Sequence, residues 1–209
     1  MFVDVIQNTE EWFNLRLKKA TSSHFGEIMA NEGKAFGEPA KKYAQRVALE
    51  YVTGERDERS GFRNSYMDDG IELEPIAINL YEIETFNSVK NGGFNIQDSK
   101  HSILLGDSPD GNVGESGCIE VKSVIPNTQW ARLKRGGIDN SYKWQIHGHI
   151  WIGKKEWCDF ISYCPEMPEE KRLYICRVYK DEDIIERMES RMNDFKELVL
   201  SDIKILQNE

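Results

Sequence analysis

The chain has 209 residues, with 27 Lys and Arg against 36 Asp and Glu and a net charge of −9. That length suits a single domain, or one core with helical additions, and no stretch is apolar over the length of a membrane-spanning helix. The acidic balance argues, on its face, against a nucleic-acid partner.

The N-terminus, Met1-Phe-Val-Asp-Val-Ile, lacks a charged n-region and a signal-peptide core, so a cytoplasmic protein without a membrane anchor is expected. Thr9 caps a predicted helix from Glu10 to about Leu17, with acids in its first turn. Leu15 to Ser23 then opens a second predicted helix, through about Ala30. Thr21, Ser22 and Ser23 at such a start either cap the helix or, with Arg16 nearby, form an anion site at its free N–H groups. Pro39 to Thr53 reads as a helix ended by Gly54, and Glu55 to Asn64 as a polar loop.

Met67 to Phe86 is the next predicted helix, with Met67, Ile71, Glu74 and Ile78 at helical spacing. Glu74 therefore falls in the apolar stripe, where a carboxylate is costly without a partner. A buried pairing with an arginine or lysine would serve as well as a functional role. Pro75 removes one intrahelical hydrogen bond just after it. Val89 to Gln97 reads as a hairpin around Asn91-Gly-Gly93.

His101 to Leu105 ends as a strand, followed by Gly106-Asp-Ser-Pro-Asp-Gly111. Cys118 to Val124 is a second strand, with Glu120 and Lys122 on one face and Ile119, Val121 and Ser123 on the other. Turn residues Gly111, Gly114, Ser116 and Gly117 predict a hairpin between these strands, bringing Asp110 close to Glu120 and Lys122. Two carboxylates and a lysine at one strand edge suit a hard divalent cation and a water to be oriented or deprotonated.

Beyond Pro126, Thr128 to about Arg135 is a helix stopped by Gly136-Gly137, and Ser141 to Trp151 is another. Tyr142, Gln145, His149 and Ile152 share a face of the latter, while His147 and His149 diverge and make a poor chelate. Gln145 reads equally as an amide at the edge of the core. Between Arg132 and Lys155 stand six basic residues and one acid, a local basic lining on an acidic body. Glu156 to Tyr163 and Arg172 to Tyr179 predict an antiparallel pair, and Asp181 to Leu206 a long helix. Cys118, Cys158, Cys164 and Cys176 show no Cys-x-x-Cys spacing and read as reduced thiols rather than zinc ligands or disulfides. The expectation is an α/β (α+β) domain over 1–209. It comprises a helical N-terminal portion over 1–86, a core over 87–180 of one four- or five-stranded mixed sheet, and a C-terminal helix over 181–206.

Asp110, Glu120 and Lys122 fit the PD-(D/E)xK nuclease pattern. Ser108-Pro-Asp-Gly111 with Glu120-Val-Lys122 resembles the lambda-exonuclease, or YqaJ-type viral recombinase, branch of that superfamily. From about Glu11 to the final helix, Leu15-Arg-Leu, Gly70-x-x-x-Glu74, the two site motifs and Gln145 stand in the family's order; 54–65 carries no family motif. The resemblance implies a restriction-endonuclease-like core. It implies Mg2+, with Mn2+ as a substitute, held by Asp110, Glu120 and the Val121 carbonyl, with Glu74 assisting. Lys122 would act on the attacking water, Gln145 would contact the catalytic centre, and Arg16 and Ser23 would hold a 5′-phosphate. Lys134, Arg135 and Lys143 are the candidate DNA contacts. The implied activity is 5′-to-3′ digestion of double-stranded DNA ends, releasing 5′-mononucleotides and leaving 3′ overhangs for recombination. The implied setting is a ring-shaped homotrimer working with a single-strand annealing protein, encoded by a phage or prophage in a bacterial host. The alternatives are an endonuclease with the same core and a non-catalytic module that binds DNA ends.

Overall fold

The structure, a computed structural model, describes residues 1–56, 65–97 and 104–208, with the side chains of 65–69 left aside. Most of the polar segment expected as a loop at 55–64, and the start of the strand expected at 101–105, lie outside the described residues. Nine strands are described: β1 (Phe2–Val3), β2 (Lys19–Thr21), β3 (Val89–Lys90), β4 (Phe94–Gln97), β5 (Leu104–Asp107), β6 (Gly111–Val113), β7 (Gly117–Ser123), β8 (Trp157–Tyr163) and β9 (Leu173–Tyr179). They form two mixed sheets, not one. Four strands run β1-β4-β5-β2, with only β2 and β5 parallel, and five run β3-β6-β7-β8-β9, with only β7 and β8 parallel.

Both expected hairpins are overturned, for one reason. Val89–Lys90 pairs with β6 while Phe94–Gln97 pairs with β1 and β5, so the chain changes sheets at Asn91-Gly-Gly93. It changes back at Ser108-Pro-Asp110, and the hairpin partner of β7 is β6 rather than β5. The two crossings touch: a Cβ on Gly92 would stand 1.7 Å from the Pro109 carbonyl oxygen, and one on Gly93 (φ +60) 2.5 Å from the Phe2 ring. Glycines that look like hairpin turns in sequence are needed here for close backbone approach.

The helices are α1 (Glu10–Arg16), α2 (Phe25–Met29), α3 (Glu38–Thr53), α4 (Ser65–Thr85), α5 (Pro126–Arg135), α6 (Lys143–Ile152) and α7 (Glu182–Gln207). Thr9 caps α1 by accepting from Trp12 N–H, and Asp181 caps α7 by accepting from Ile184 N–H. The second predicted helix begins later than expected. Residues 19–21 form β2 because Ala20 and Thr21 are buried beside β5; a single 3-10 turn at Ser22–His24 then leads into α2.

β7 is buried on both faces, as a central strand should be. Ile119 and Val121 pack with Ala77 and Tyr81 of α4, while Cys118 packs with Ile146 and Ile150 of α6. On α4 the buried stripe runs through Ala77 and Tyr81, flanked by Leu73 and Ile78; Ile71, expected in the stripe, is 43% exposed. The smaller sheet supplies Ala20 and Leu105 to a core filled by α2, α3 and α7. All four cysteines are free thiols. Among the described residues no helix is long and apolar enough to cross a membrane.

Candidate active site

The site forms where β6 and β7 begin to pair under α6. Asp110, one residue before β6, donates its N–H to the Ile119 carbonyl (3.1 Å) and accepts at Oδ2 from Val121 N–H (2.7 Å). That backbone clamp brings its carboxyl beside β7, as the spacing predicts, although through β6 and not through β5. Glu120 is 1% exposed and points the other way from Ile119 and Val121, toward α6. Its Oε1 meets Lys122 Nζ and accepts from Gln145 Nε2 (2.6 Å); its Oε2 faces His149 Nε2 at 2.8 Å.

Burial pushes the Glu120 carboxyl up, but Lys122 and His149 outweigh it and bring it down to about 2. Burial pulls Lys122 down, and the Glu120 and Asp110 carboxylates reverse this and raise it. Asp110 is pushed well above the usual carboxylate range by burial and by Glu120 and Glu74, which Lys122 and the Val121 N–H only partly oppose. Half-buried Glu74 is raised by desolvation and by Glu120, with Lys122 opposing. Among the described residues, three carboxyl groups thus share one field with one lysine.

Such a set of hard oxygen donors, with Asp110 raised by burial and by the neighbouring carboxylates, fits a divalent cation that would relieve the crowding. Among the described residues no three His, Cys, Asp or Glu side chains already converge as a coordination cage.

A second recess lies at the 3-10 turn. Arg16 Nη2 donates to Thr21 Oγ1 (3.3 Å) and to Ser23 Oγ (3.2 Å), and its guanidinium lies 4.4 Å from the Trp12 ring centroid. Thr21 makes no capping hydrogen bond, so plain helix capping does not account for these hydroxyls. Arg46, stacked on Tyr43 and bonded to His24 Nε2 (2.9 Å), adds a second guanidinium; together with burial it lowers Arg16. Trp12 Nε1 donates to Ser108 Oγ (2.9 Å), tying this recess to the segment that carries Asp110.

Asp107, Asn95 and His149 escaped the sequence reading as members of the site. His149 Nδ1 is 2.6 Å from Asp107 Oδ1, and the same oxygen accepts from Ser22 Oγ at 2.6 Å. Asn95 Nδ2 reaches Asp107 Oδ2 at 3.3 Å. Burial lowers His149, but Asp107 and Glu120 more than offset it and hold it well above its ordinary value. The one signal in the sequence is that His149 follows Gln145 by four residues on the same helix face. Arg132, counted in the basic lining, is instead 2% exposed, donates to Ser162 Oγ and stacks on Tyr142 and Phe160. Lys134 and Arg135 are exposed and Lys143 is half-buried. Lys134 lies over Trp130, Lys143 over Trp144, and Arg135 bonds to Asp139.

The YqaJ-like viral recombinase domain matches residues 11–156 of this chain. An alkaline exonuclease from Laribacter hongkongensis, LHK-Exo, superposes with a TM-score of 0.83 at 29% identity, covering 96% of this chain and 97% of that one. The same exonuclease in complex with dAMP superposes with a TM-score of 0.85 at 30% identity over the same shares. A phage-related exonuclease from Haemophilus somnus 129PT, 16% identical, shares the fold (TM-score 0.68, 94% and 99% covered). No curated protein sequence matches the chain. Two mixed sheets flanked by helices, superposing on LHK-Exo, make this a restriction-endonuclease-like fold. With the domain match covering most of its length, the chain belongs to the YqaJ-like viral recombinase family and is a nuclease of that family.

Proposed function

We propose that this nuclease is a magnesium-dependent exonuclease that digests the 5′ strand of duplex DNA ends, releasing 5′-mononucleotides and leaving 3′ overhangs. The observation carrying this reading is the pairing of two features: the Asp110–Glu120–Lys122–Gln145 cluster and the Arg16–Thr21–Ser23 recess tied to it. A recess of arginine and hydroxyl groups suits a terminal phosphate dianion; an enzyme cutting within a duplex has no use for it. The dAMP bound to LHK-Exo belongs to the product class expected of such an enzyme.

Asp110, Glu120 and the Val121 carbonyl would hold Mg2+, with Glu74 assisting and Mn2+ as a substitute. When bound, the ion supplies Lewis-acid polarisation of the phosphate and a water of lowered pKa. Lys122, which meets the Glu120 carboxylate, orients the attacking water or a phosphate oxygen. Gln145 and His149 hold the two Glu120 oxygens apart in fixed directions. Lys134, Arg135 and Lys143 contact the duplex backbone. By resemblance the working form is a homotrimer around DNA, paired with a single-strand annealing protein in the cytoplasm of a phage-bearing bacterium.

The test is digestion of end-labelled linear duplexes, with 5′-phosphate or 5′-hydroxyl ends, beside a closed circle, with and without Mg2+. Mononucleotides released from the phosphorylated 5′ end only with Mg2+ support the reading. Efficient cutting of the circle sinks it in favour of an endonuclease, and no cleavage at all in favour of an end-binding module.

A further inference from the structure

A line of buried hydrogen bonds that the reaction chemistry does not require runs from Ser22, in the turn beside Arg16, to Glu120. Ser22 Oγ–H donates to Asp107 Oδ1 (2.6 Å), His149 Nδ1 lies 2.6 Å from that same oxygen, and His149 Nε2 lies 2.8 Å from Glu120 Oε2. Both imidazole nitrogens face carboxylate oxygens, so the ring spans two acids from two different sheets. Ser22, Asp107, His149 and Glu120 are each no more than 3% exposed, so water does not compete for these bonds. At one end, Ser22 stands between Thr21 and Ser23, the two hydroxyls bonded to Arg16. At the other end, Glu120 Oε2 has His149 as its hydrogen-bond partner, while Oε1 is shared by Lys122 and Gln145.

A second observation is close packing beside the line. Gly148 lets α6 lie directly on the 3-10 turn: a Cβ there would come within 2.9 Å of both the Ser22 Cβ and the Phe25 ring. A shift of the turn must therefore move α6, the helix that carries both Gln145 and His149. Interiors packed this closely transmit displacement rather than absorb it.

Resting on the exonuclease reading above, we propose that Ser22, Asp107 and His149 form a positioning chain that couples the Arg16 recess to the Glu120 carboxylate. A 5′-phosphate bound at Arg16, Thr21 and Ser23 orders the turn, and through Ser22, Asp107 and His149 it sets the direction of Glu120 Oε2. The terminal phosphate then raises the catalytic rate as well as affinity. Because coupling between binding sites is reciprocal, Mg2+ bound at Glu120 tightens the grip on a phosphorylated end.

The test compares kcat and KM on duplexes bearing a 5′-phosphate or a 5′-hydroxyl, for wild type and for Ser22→Ala, His149→Gln and Gly148→Ala. In wild type the phosphate raises kcat. Each variant is expected to lose at least about tenfold of that kcat ratio, with the phosphate's effect on KM largely kept. Arg16→Ala is the contrasting control: it removes the binding site itself and so loses the phosphate's effect on KM and on kcat together. A second readout uses no metal: the His149 ring N–H proton resonances shift when a 5′-phosphorylated duplex is added in EDTA, and not with a 5′-hydroxyl duplex. If folded variants keep the wild-type kcat ratio, or the ring protons ignore the phosphate, the coupling is wrong and the exonuclease reading stands. If wild type degrades no ends, both fall together.

Discussion

Lys122 and Asp110 respond to the same crowd of carboxylates in opposite directions, and substitutions at the two should separate function from stability. Lys122→Ala removes the ammonium that meets Glu120 while Gln145 and His149 still hold that carboxylate. Its expected cost is about 10²-fold or more in cleavage rate with an unchanged circular dichroism spectrum. Asp110→Asn keeps an oxygen for the Val121 N–H and removes a carboxyl that burial, Glu120 and Glu74 push well up. A carboxyl raised in the folded state contributes stability that is fully present below its unfolded pKa and lost as pH rises through its folded one. In EDTA, wild type should therefore lose melting temperature as pH rises above the ordinary carboxylate range. Asp110→Asn should flatten that slope and melt a few degrees higher, roughly 2–4 °C for each kcal/mol, while abolishing cleavage. A melting temperature that falls in the Asn variant would contradict the crowding account. At this scale the sequence was readable where partners are close along the chain: Asp110, Glu120 and Lys122 lie within the one β6–β7 hairpin and the residue before it. Asp107 and His149 were not, because the bonds that give them meaning reach 42 and 29 residues away.

Among the elements, the helices with strong periodic stripes and clear ends were legible: α3, α5 and α7 fall within a residue or two of their expected limits. The short strands were not. Asn91-Gly-Gly93 and Ser108-Pro-Asp110 carry turn chemistry that fits a hairpin equally well, and local propensity contains no information about which sheet a strand joins. The crossing gives a direct check. Gly92→Ala would drive a methyl into the Pro109 carbonyl, so urea unfolding should show a loss of about 1–3 kcal/mol, and cleavage should fall with it because Asp110 is displaced. Retained stability would mean that the two segments do not cross in contact. Thr21-Ser22-Ser23 marks a similar limit: this hydroxyl run looks like a helix start, yet Thr21 ends a strand paired with β5, and the 3-10 turn starts only at Ser22.

For the whole molecule, a net charge of −9 and the proposed grip on a duplex are compatible if the exposed cations do the gripping. Lys134 and Arg135 are exposed at the end of α5, whereas Arg132 is sealed against Ser162 and two aromatic rings. Lys134→Ala is therefore expected to weaken duplex binding equally for all sequences and to reduce the log–log salt slope by about 0.9, one phosphate contact. An unchanged slope would remove it from the interface. Adjacent residues in the sequence thus determined the helices, the strand alternation of β7 and the acid–acid–lysine trio, because each depends on a repeat or spacing within some dozen positions. Tertiary structure alone decided that there are two sheets, that Arg132 is interior, and that a histidine bridges Glu120 to the serine turn. Those facts depend on which distant surfaces bury one another, and neither residue spacing nor local propensity encodes that.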